Sequence, residues 1–220
     1  MSNRVLVIAV HPDDETLGCG GTLLKHKENG DEIHWLICTE VNIENNFYSV
    51  REKEIQEVEK IYGFESVQKL KLKTMRIDQY TMSELIEKIS NAINNIQPSI
   101  IYLPFKSDIH SDHRKIFEAS YSCTKSFRYP FIQKIYMMET LSETEFAPST
   151  KEDSFIPNVF VDITNFMDKK VEIMKIFKSE MSEHPFPRSE RNIKALATLR
   201  GATSDCNYAE GFVLLKEIIK

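Results

Sequence analysis

Two short clusters in this sequence carry side chains that bind metal ions and move protons. The first is His11-Pro12-Asp13-Asp14-Glu15, and the second is Asp108-Ile109-His110-Ser111-Asp112-His113-Arg114. A catalytic zinc takes three protein ligands of nitrogen and oxygen type and keeps one position open. His11, Asp14 and His113 supply that set. Asp13 and His110 are then left beside the metal rather than on it, and hydrolysis of an amide needs such a pair. A carboxylate takes the proton of water whose pKa a metal has lowered toward ~7. An acid or cation steadies the developing oxyanion and helps protonate the leaving amine, and histidine suits that task. Asp112 can hold His110 in orientation, as carboxylates do for working imidazoles. Either cluster alone has a plainer reading, the first as a polar turn with a helix cap, the second as a common HxxH at a helix end. For Glu15, a supporting hydrogen bond and a purely structural contact both stay open.

The clusters meet only if the chain brings them to one rim. Val5 to Val10 is a continuous apolar run, the pattern of a strand covered on both faces. Leu17 to Lys27 follows as a helix ended by Asn29-Gly30, and Glu32 to Thr39 as a second strand. Ser49 to Tyr62 reads as an amphipathic helix, with Ser49 and Glu52 spaced as a capping box and Gly63 as its stop. Val67 to Leu72 is a short strand, Ser83 to Ile96 a helix that Pro98 prevents from continuing, Ser99 to Leu103 a buried strand, and His113 to Lys125 a helix. This alternation predicts a parallel sheet with right-handed crossovers. The first cluster follows the first strand and the second follows Ser99 to Leu103, so both sit beyond carboxyl ends of strands, where open α/β sheets bind ligands. Further on, Ile132 to Glu139 and Asn158 to Ile163 read as strands, Asn165 to Ser182 and Glu190 to Arg200 as helices, and Phe212 to Ile219 closes the chain. Ser142 to Pro157 is polar with two prolines and reads as a long loop.

At these residues the chain resembles the PIG-L/LmbE family of zinc-dependent N-deacetylases. The likeness runs through AVHPDDETLGCGGTLLKH, YSVREKEI, TMRIDQYT, SDIHSDHRKIFEA and RGATSDCNYAEGF. It implies a Rossmann-like α/β fold, a three-layer sandwich around a mostly parallel sheet, in one domain spanning 1–220. It implies His11, Asp14 and His113 as metal ligands, Asp13 as general base, His110 as oxyanion-stabilising residue and acid, and Asp112 as the group that tunes His110. It also implies Arg51 as a substrate contact, with Asp78 the match to an aspartate after the third strand. Ser111 stands where many relatives carry proline. An assisting tyrosine known in some relatives has no clear counterpart, so Tyr136 and Tyr208 stay unassigned. The implied cofactor is Zn2+ or another divalent transition metal such as Fe2+, and the implied substrate an N-acetylated amino sugar, sugar nucleotide or glycoside. The resemblance also admits a homo-oligomer.

Other features fit around this reading. The segment His184-Pro185-Phe186-Pro187-Arg188-Ser189 is irregular and aromatic, so Arg188 is a candidate for a substrate wall. Gly18, Gly20 and Gly21 lack the GxGxxG spacing of a dinucleotide cradle and read instead as close packing near the metal site. The 220 residues are 41% hydrophobic and 28% charged with a net charge of -5, an ordinary globular balance that argues against a general nucleic-acid binder. The apolar run near the N-terminus is too short for a signal peptide or a membrane span, which points to a cytoplasmic chain. The four cysteines form no CxxC pair, so they indicate neither a thiolate metal site nor a redox motif. The expected reaction is hydrolysis of an N-acetyl group. An amidase acting on a non-sugar amide and a non-catalytic metal-containing binding protein are the alternatives, and the second has no need of both a base and an acid.

Overall fold

The computed structural model describes residues 2–41 and 46–219. Along the chain come β1 (Arg4–Ala9), α1 (Asp14–Glu28), β2 (Glu32–Glu40), α2 (Tyr48–Tyr62), β3 (Ser66–Lys73), α3 (Met82–Ile96), β4 (Ile100–Leu103), α4 (Ser111–Ser122), β5 (Lys134–Met138), β6 (Val159–Asp162), α5 (Met167–Met174), α6 (Glu190–Thr203) and β7 (Ala209–Glu217). The strands form a single sheet in the order β3-β2-β1-β4-β5-β7-β6. The pairings from β3 through to β5 are parallel, and β7 runs antiparallel to both β5 and β6. The sheet is therefore mostly parallel, with a C-terminal strand slotted between two earlier ones.

Side chains alternate across a strand, so an unbroken apolar run must feed two cores. Val5, Val7 and Ala9 pack with residues of α1, α2, α5 and α6, while Leu6, Ile8 and Val10 pack with residues of α3 and α4. Helices thus cover both faces, and the three-layer architecture follows from the odd and even positions of β1. The chain leaves β1 for β2 on one side and returns as β4 on the other. That reversal opens a crevice beyond the carboxyl ends of β1 and β4, directly under the two motif clusters.

Several local expectations need correction. The helix read as starting at Ser49 begins at Tyr48, its N-cap is Phe47, and no side chain caps it. Glu52 instead reaches Lys69 at 2.6 Å, so the Ser49–Glu52 capping box does not form. Thr81 and Glu84 make a true capping box at the start of α3. Gly63 does stop α2, in the left-handed conformation (φ 66°). The single helix expected over Asn165 to Ser182 is broken: α5 ends at Met174, and a 3-10 turn follows at Lys178–Glu180. Phe177 is fully buried, and the turn that seats it also swings Glu180 toward α2. Local apolar spacing cannot distinguish that tertiary anchoring from helix continuation.

The glycine-rich start of α1 packs closely, but against the fold rather than the metal site. A Cβ at Gly18 would fall 2.6 Å from the Met138 sulfur, and one at Gly21 would fall 2.7 Å from Ile163 Cβ. Here α1 is kinked at Cys19 (φ -147°, ψ 24°). Two buried groups take up the backbone polar atoms that the kink exposes. Lys170 Nζ donates to the Leu17 carbonyl at 2.9 Å, and Glu210 accepts from the Gly21 and Thr22 amides at 2.9 and 2.8 Å. Lys170 and Glu210 pair with each other at 2.7 Å. Among the described residues no helix is long and apolar enough to cross a membrane.

Candidate metal centre and active-site cleft

The HPDDE segment leaves β1 and enters α1 through a conformation that L-residues seldom adopt. Asp13 has φ 135°, a strained value for a residue with a Cβ. Its amide donates to Glu15 Oε2 at 3.0 Å, and its carbonyl accepts from the Thr16 and Leu17 amides. Glu15 is wholly buried, takes a second hydrogen bond from the Thr16 hydroxyl at 2.6 Å, and is pushed up by burial to about 7. This settles its place as the clasp of the strained turn. Asp14 begins α1, and its Oδ2 accepts the His11 amide at 2.8 Å.

The second cluster arrives through the N-terminus of α4. His110 is the N-cap, its Nδ1 accepting the Asp112 amide at 3.1 Å, so the helix starts two residues earlier than expected. His113 lies one turn in and is fully buried. Its Nδ1 is 2.9 Å from Asp108 Oδ2, and Asp108 Oδ1 accepts the Thr144 hydroxyl at 2.7 Å. Asp108 stands five residues before His113 in the same cluster, a spacing visible in the sequence but given no role there. Thr144 comes from the long polar loop, which does border the site.

Three ligand atoms converge. His11 Nδ1 lies 3.3 Å from His113 Nε2 and 3.8 Å from Asp14 Oδ2, and His113 Nε2 lies 3.4 Å from the same oxygen. Ligands on a tetrahedral ion with bonds of about 2.0–2.1 Å sit roughly 3.3–3.4 Å apart, so the two edges at His113 match a zinc-ligand face and the His11–Asp14 edge is longer, at 3.8 Å. Two further features fit a cation. Burial works to lower the His113 pKa, yet Asp14 and Asp108 raise it to about 9, so the two carboxylates favour positive charge at a place where a metal would replace a proton. The other His11 nitrogen, Nε2, is buried without a hydrogen-bond partner, and Asp112 Oδ2 stands 3.6 Å from it. Each candidate histidine ligand thus turns its second nitrogen toward a carboxylate, the usual support of a metal-bound imidazole. The trio His11, His110 and Asp112 also comes within ligating reach. Its Asp112 already accepts the Met75 amide at 2.7 Å and its His110 is committed to capping α4, so the first trio is the better-formed site.

Asp112 therefore does not orient His110 through its side chain, as the sequence reading had it. Its carboxylate faces His11 and the Met75 amide, and only its backbone N–H meets His110. Because Nδ1 of His110 accepts that N–H, the neutral ring carries its proton on Nε2. Burial, then the neighbouring His11 and His113, lowers the His110 pKa to about 4, in keeping with a neutral ring.

The site opens into a cleft of about 260 Å³ lined by His11, Asp13, Asp14, Thr39, Arg51, Met75, His110, Glu143, Glu180 and Arg188, among others. Burial, then the charge of Asp14, pushes the Asp13 carboxyl well above the usual range, and Arg188 partly offsets this. Arg188 Nη1 lies 3.3 Å from Asp13 Oδ2, and of the irregular segment around Pro187 it is Arg188 that lines the cleft. Arg51 is buried at the start of α2 and also lines the cleft. Asp78 does not join them: it is exposed on the 3-10 turn Ile77–Gln79 and is absent from the lining. Arg200 pairs with Glu139 at 2.6 Å away from the cleft, and Tyr136 stacks on Tyr102 in the core. Glu143 and Glu180 line the cleft without having been singled out in the sequence. Glu180 was hidden inside the stretch read as continuous helix, and Glu143 inside the polar loop.

The family model for PIG-L, GlcNAc-PI de-N-acetylase, matches residues 6–124, more than half of the chain. The chain belongs to the PIG-L family. Both motif clusters lie inside the PIG-L match, while Arg188 and the stretch RGATSDCNYAEGF lie beyond it. A diacetylchitobiose deacetylase from Thermococcus kodakarensis is 24% identical over 219 residues, covering 94% of this chain and 81% of the relative. Among solved structures, the N,N'-diacetylchitobiose deacetylase of Pyrococcus horikoshii has a TM-score of 0.79 at 20% identity, covering 98% of this chain and 84% of that one. The 4-carboxy-2-hydroxymuconate hydratase of Pseudomonas putida KT2440 has a TM-score of 0.77 at 16% identity, covering 100% of this chain and 98% of that one. One fold thus carries both a deacetylase and a hydratase, so the chemistry of this PIG-L chain has to be argued from its site.

Proposed function

We propose that this PIG-L chain is a zinc-dependent N-deacetylase that hydrolyses the N-acetyl group of an amino sugar, releasing acetate and the free amine. The observation that carries the reading is the triangle of His11 Nδ1, Asp14 Oδ2 and His113 Nε2, with Asp13 and His110 beside it in the same cleft and outside the triangle. The amino-sugar part is supported by the family description, which names a GlcNAc-containing substrate, and by the diacetylchitobiose deacetylases among its relatives.

His11, Asp14 and His113 would hold a divalent ion, which would supply Lewis acidity toward water and an amide carbonyl. The remaining work falls to the chain's own groups. Asp13 takes the proton of the attacking water, with the Arg188 guanidinium beside it as a fixed countercharge. His110, capped at Nδ1, presents its Nε2–H to the oxygen of the tetrahedral carbon as a neutral donor. Asp13 then hands its proton to the sugar nitrogen as the C–N bond breaks. Glu15 keeps the Asp13 backbone in its strained turn, and Asp108 and Asp112 back the two imidazole ligands.

Metal analysis of the purified chain, combined with acetate release from a panel of N-acetylated sugars and simple acetamides, tests the reading. We expect about one equivalent of divalent metal per chain, turnover on sugars, and loss of turnover on chelation with recovery on adding zinc. Turnover confined to non-sugar amides would make the chain an amidase, and stoichiometric metal without any turnover would make it a binding protein.

A further inference from the structure

We propose that Glu180 sets this cleft for N-acetyl sugars that carry no phosphate or other anionic group, because it bridges both of the arginines there while Asp13 and Glu54 supply their remaining countercharge; this rests on the deacetylase reading above. Among the described residues lining the cleft, the cationic side chains are Arg51 and Arg188. One carboxylate bridges them: Glu180 Oε1 pairs with Arg51 Nη2, and its Oε2 lies 3.1 Å from Arg188 Nη2. Most of the remaining guanidinium nitrogens are engaged as well, except Arg188 Nε, which is buried without a hydrogen-bond partner. Arg51 Nη1 donates to the Pro12 carbonyl at 3.3 Å and lies 3.4 Å from Glu54, and its Nη2 reaches the Ser179 hydroxyl at 3.2 Å. The rings of Phe47 and Phe177 flank its carbon centre at 5.1 and 5.3 Å, which leaves little room to swing out. Arg188 spends Nη1 on Asp13.

An anionic substituent entering this cleft therefore meets arginines whose charge is already answered. It also meets Glu180, Asp13 and Glu143 on the same walls. To gain an arginine it must expel a partly buried carboxylate, and bringing like charges together inside a cleft is a strong rejection device. A metal ion's charge does not change this, because its own ligand Asp14 and the carboxylates Asp108 and Asp112 stand around that end of the site. Sugar hydroxyls, which both donate and accept, can share hydrogen bonds with the Glu180–Arg188 pair with no change in charge.

The test compares the wild-type chain with Glu180→Gln and Glu180→Asp. Acetate release is measured for N-acetylglucosamine, N,N'-diacetylchitobiose, N-acetylglucosamine 1-phosphate and a nucleoside-diphosphate N-acetylglucosamine. Equilibrium binding of the products glucosamine and glucosamine 1-phosphate is measured alongside. We expect the wild type to favour the uncharged sugars in kcat/KM and in binding. Glu180→Gln is expected to move both ratios toward the phosphorylated ligands by at least about tenfold, and Glu180→Asp, which keeps the charge, to hold the wild-type preference. A wild-type preference for phosphorylated ligands, a Glu180→Gln ratio unchanged from wild type, or failure of every sugar to bind would overturn the proposal. Absence of turnover on every acetylated sugar would overturn the deacetylase reading instead, and the product-binding ratios would still decide the role of Glu180.

Discussion

Removing the charge of Asp108 probes the proposed metal centre without touching a proposed ligand. Asp108 is completely buried and uses both oxygens, one 2.9 Å from His113 Nδ1 and one accepting the Thr144 hydroxyl at 2.7 Å. Asp108→Asn keeps the shape. Its amide oxygen can still accept the His113 Nδ1 proton, so the ring stays oriented, but the negative charge that makes Nε2 a stronger donor to a cation is gone. Its amide NH2 meets a Thr144 oxygen that already accepts the Thr140 amide at 2.9 Å, so one hydrogen bond of the network weakens. Loss of a carboxylate partner behind a metal-bound histidine costs about 10–100-fold in affinity, or roughly 1.4–2.7 kcal/mol. The disturbed buried hydrogen bond should take a further ~1 kcal/mol from the stability of the metal-free chain. Competition with a chromogenic chelator reads the first quantity and urea unfolding of the metal-free protein reads the second. Zinc affinity within about twofold of wild type, outside the range expected for such a partner, would refute the reasoning and take His113 out of the ligand set.

Three other outcomes follow from the same structure. Asp13→Ala should retain the metal while kcat falls by about 10²–10⁴, the usual contribution of a positioned acid–base group; deacetylation near the wild-type rate would remove Asp13 from that role. Gly21→Ala should destabilise the chain by about 1–3 kcal/mol, because its new Cβ would fall 2.7 Å from the branched and buried Ile163; an unchanged urea midpoint would show that α1 can shift away. Lys170→Met should cost about 3–5 kcal/mol by leaving Glu210 buried beside the α1 kink without its cation. The double change with Glu210→Gln should recover part of that loss in the same unfolding assay, and full additivity of the two changes would argue against their coupling.

Much of the fold was legible because its signals are local. An apolar run with no polar face, six residues long and rich in β-branched side chains as in Val5 to Val10, reads as a strand covered on both sides, and alternation with amphipathic helices points to a parallel sheet. Helix ends at Gly63 and before Pro98 were legible for the same reason, since backbone conformation at glycine and proline is set within one or two residues. The broken helix after Met174 was not legible. Ile173, Met174 and Phe177 keep a helical spacing, and only the place of Phe177 in the core reveals that the chain turns there.

The chemistry divides along the same line. Residue type and order alone singled out His11, Asp13, Asp14, His110 and His113 as candidates, because metal binding and proton transfer admit few side chains and the two motifs carry them at tight spacing. Which carboxylate serves which histidine was decided by tertiary structure. Asp112 is two residues from His110 yet faces His11, 101 positions earlier in the chain, and Asp108 answers His113 while held by a threonine from a distant loop. The state of the two cleft arginines likewise depended on Glu180, which only the turn after α5 brings to them. Charge interactions act through space and fall off over a few ångströms, so partners far apart in the chain are fixed only when the sheet and its loops bring them together.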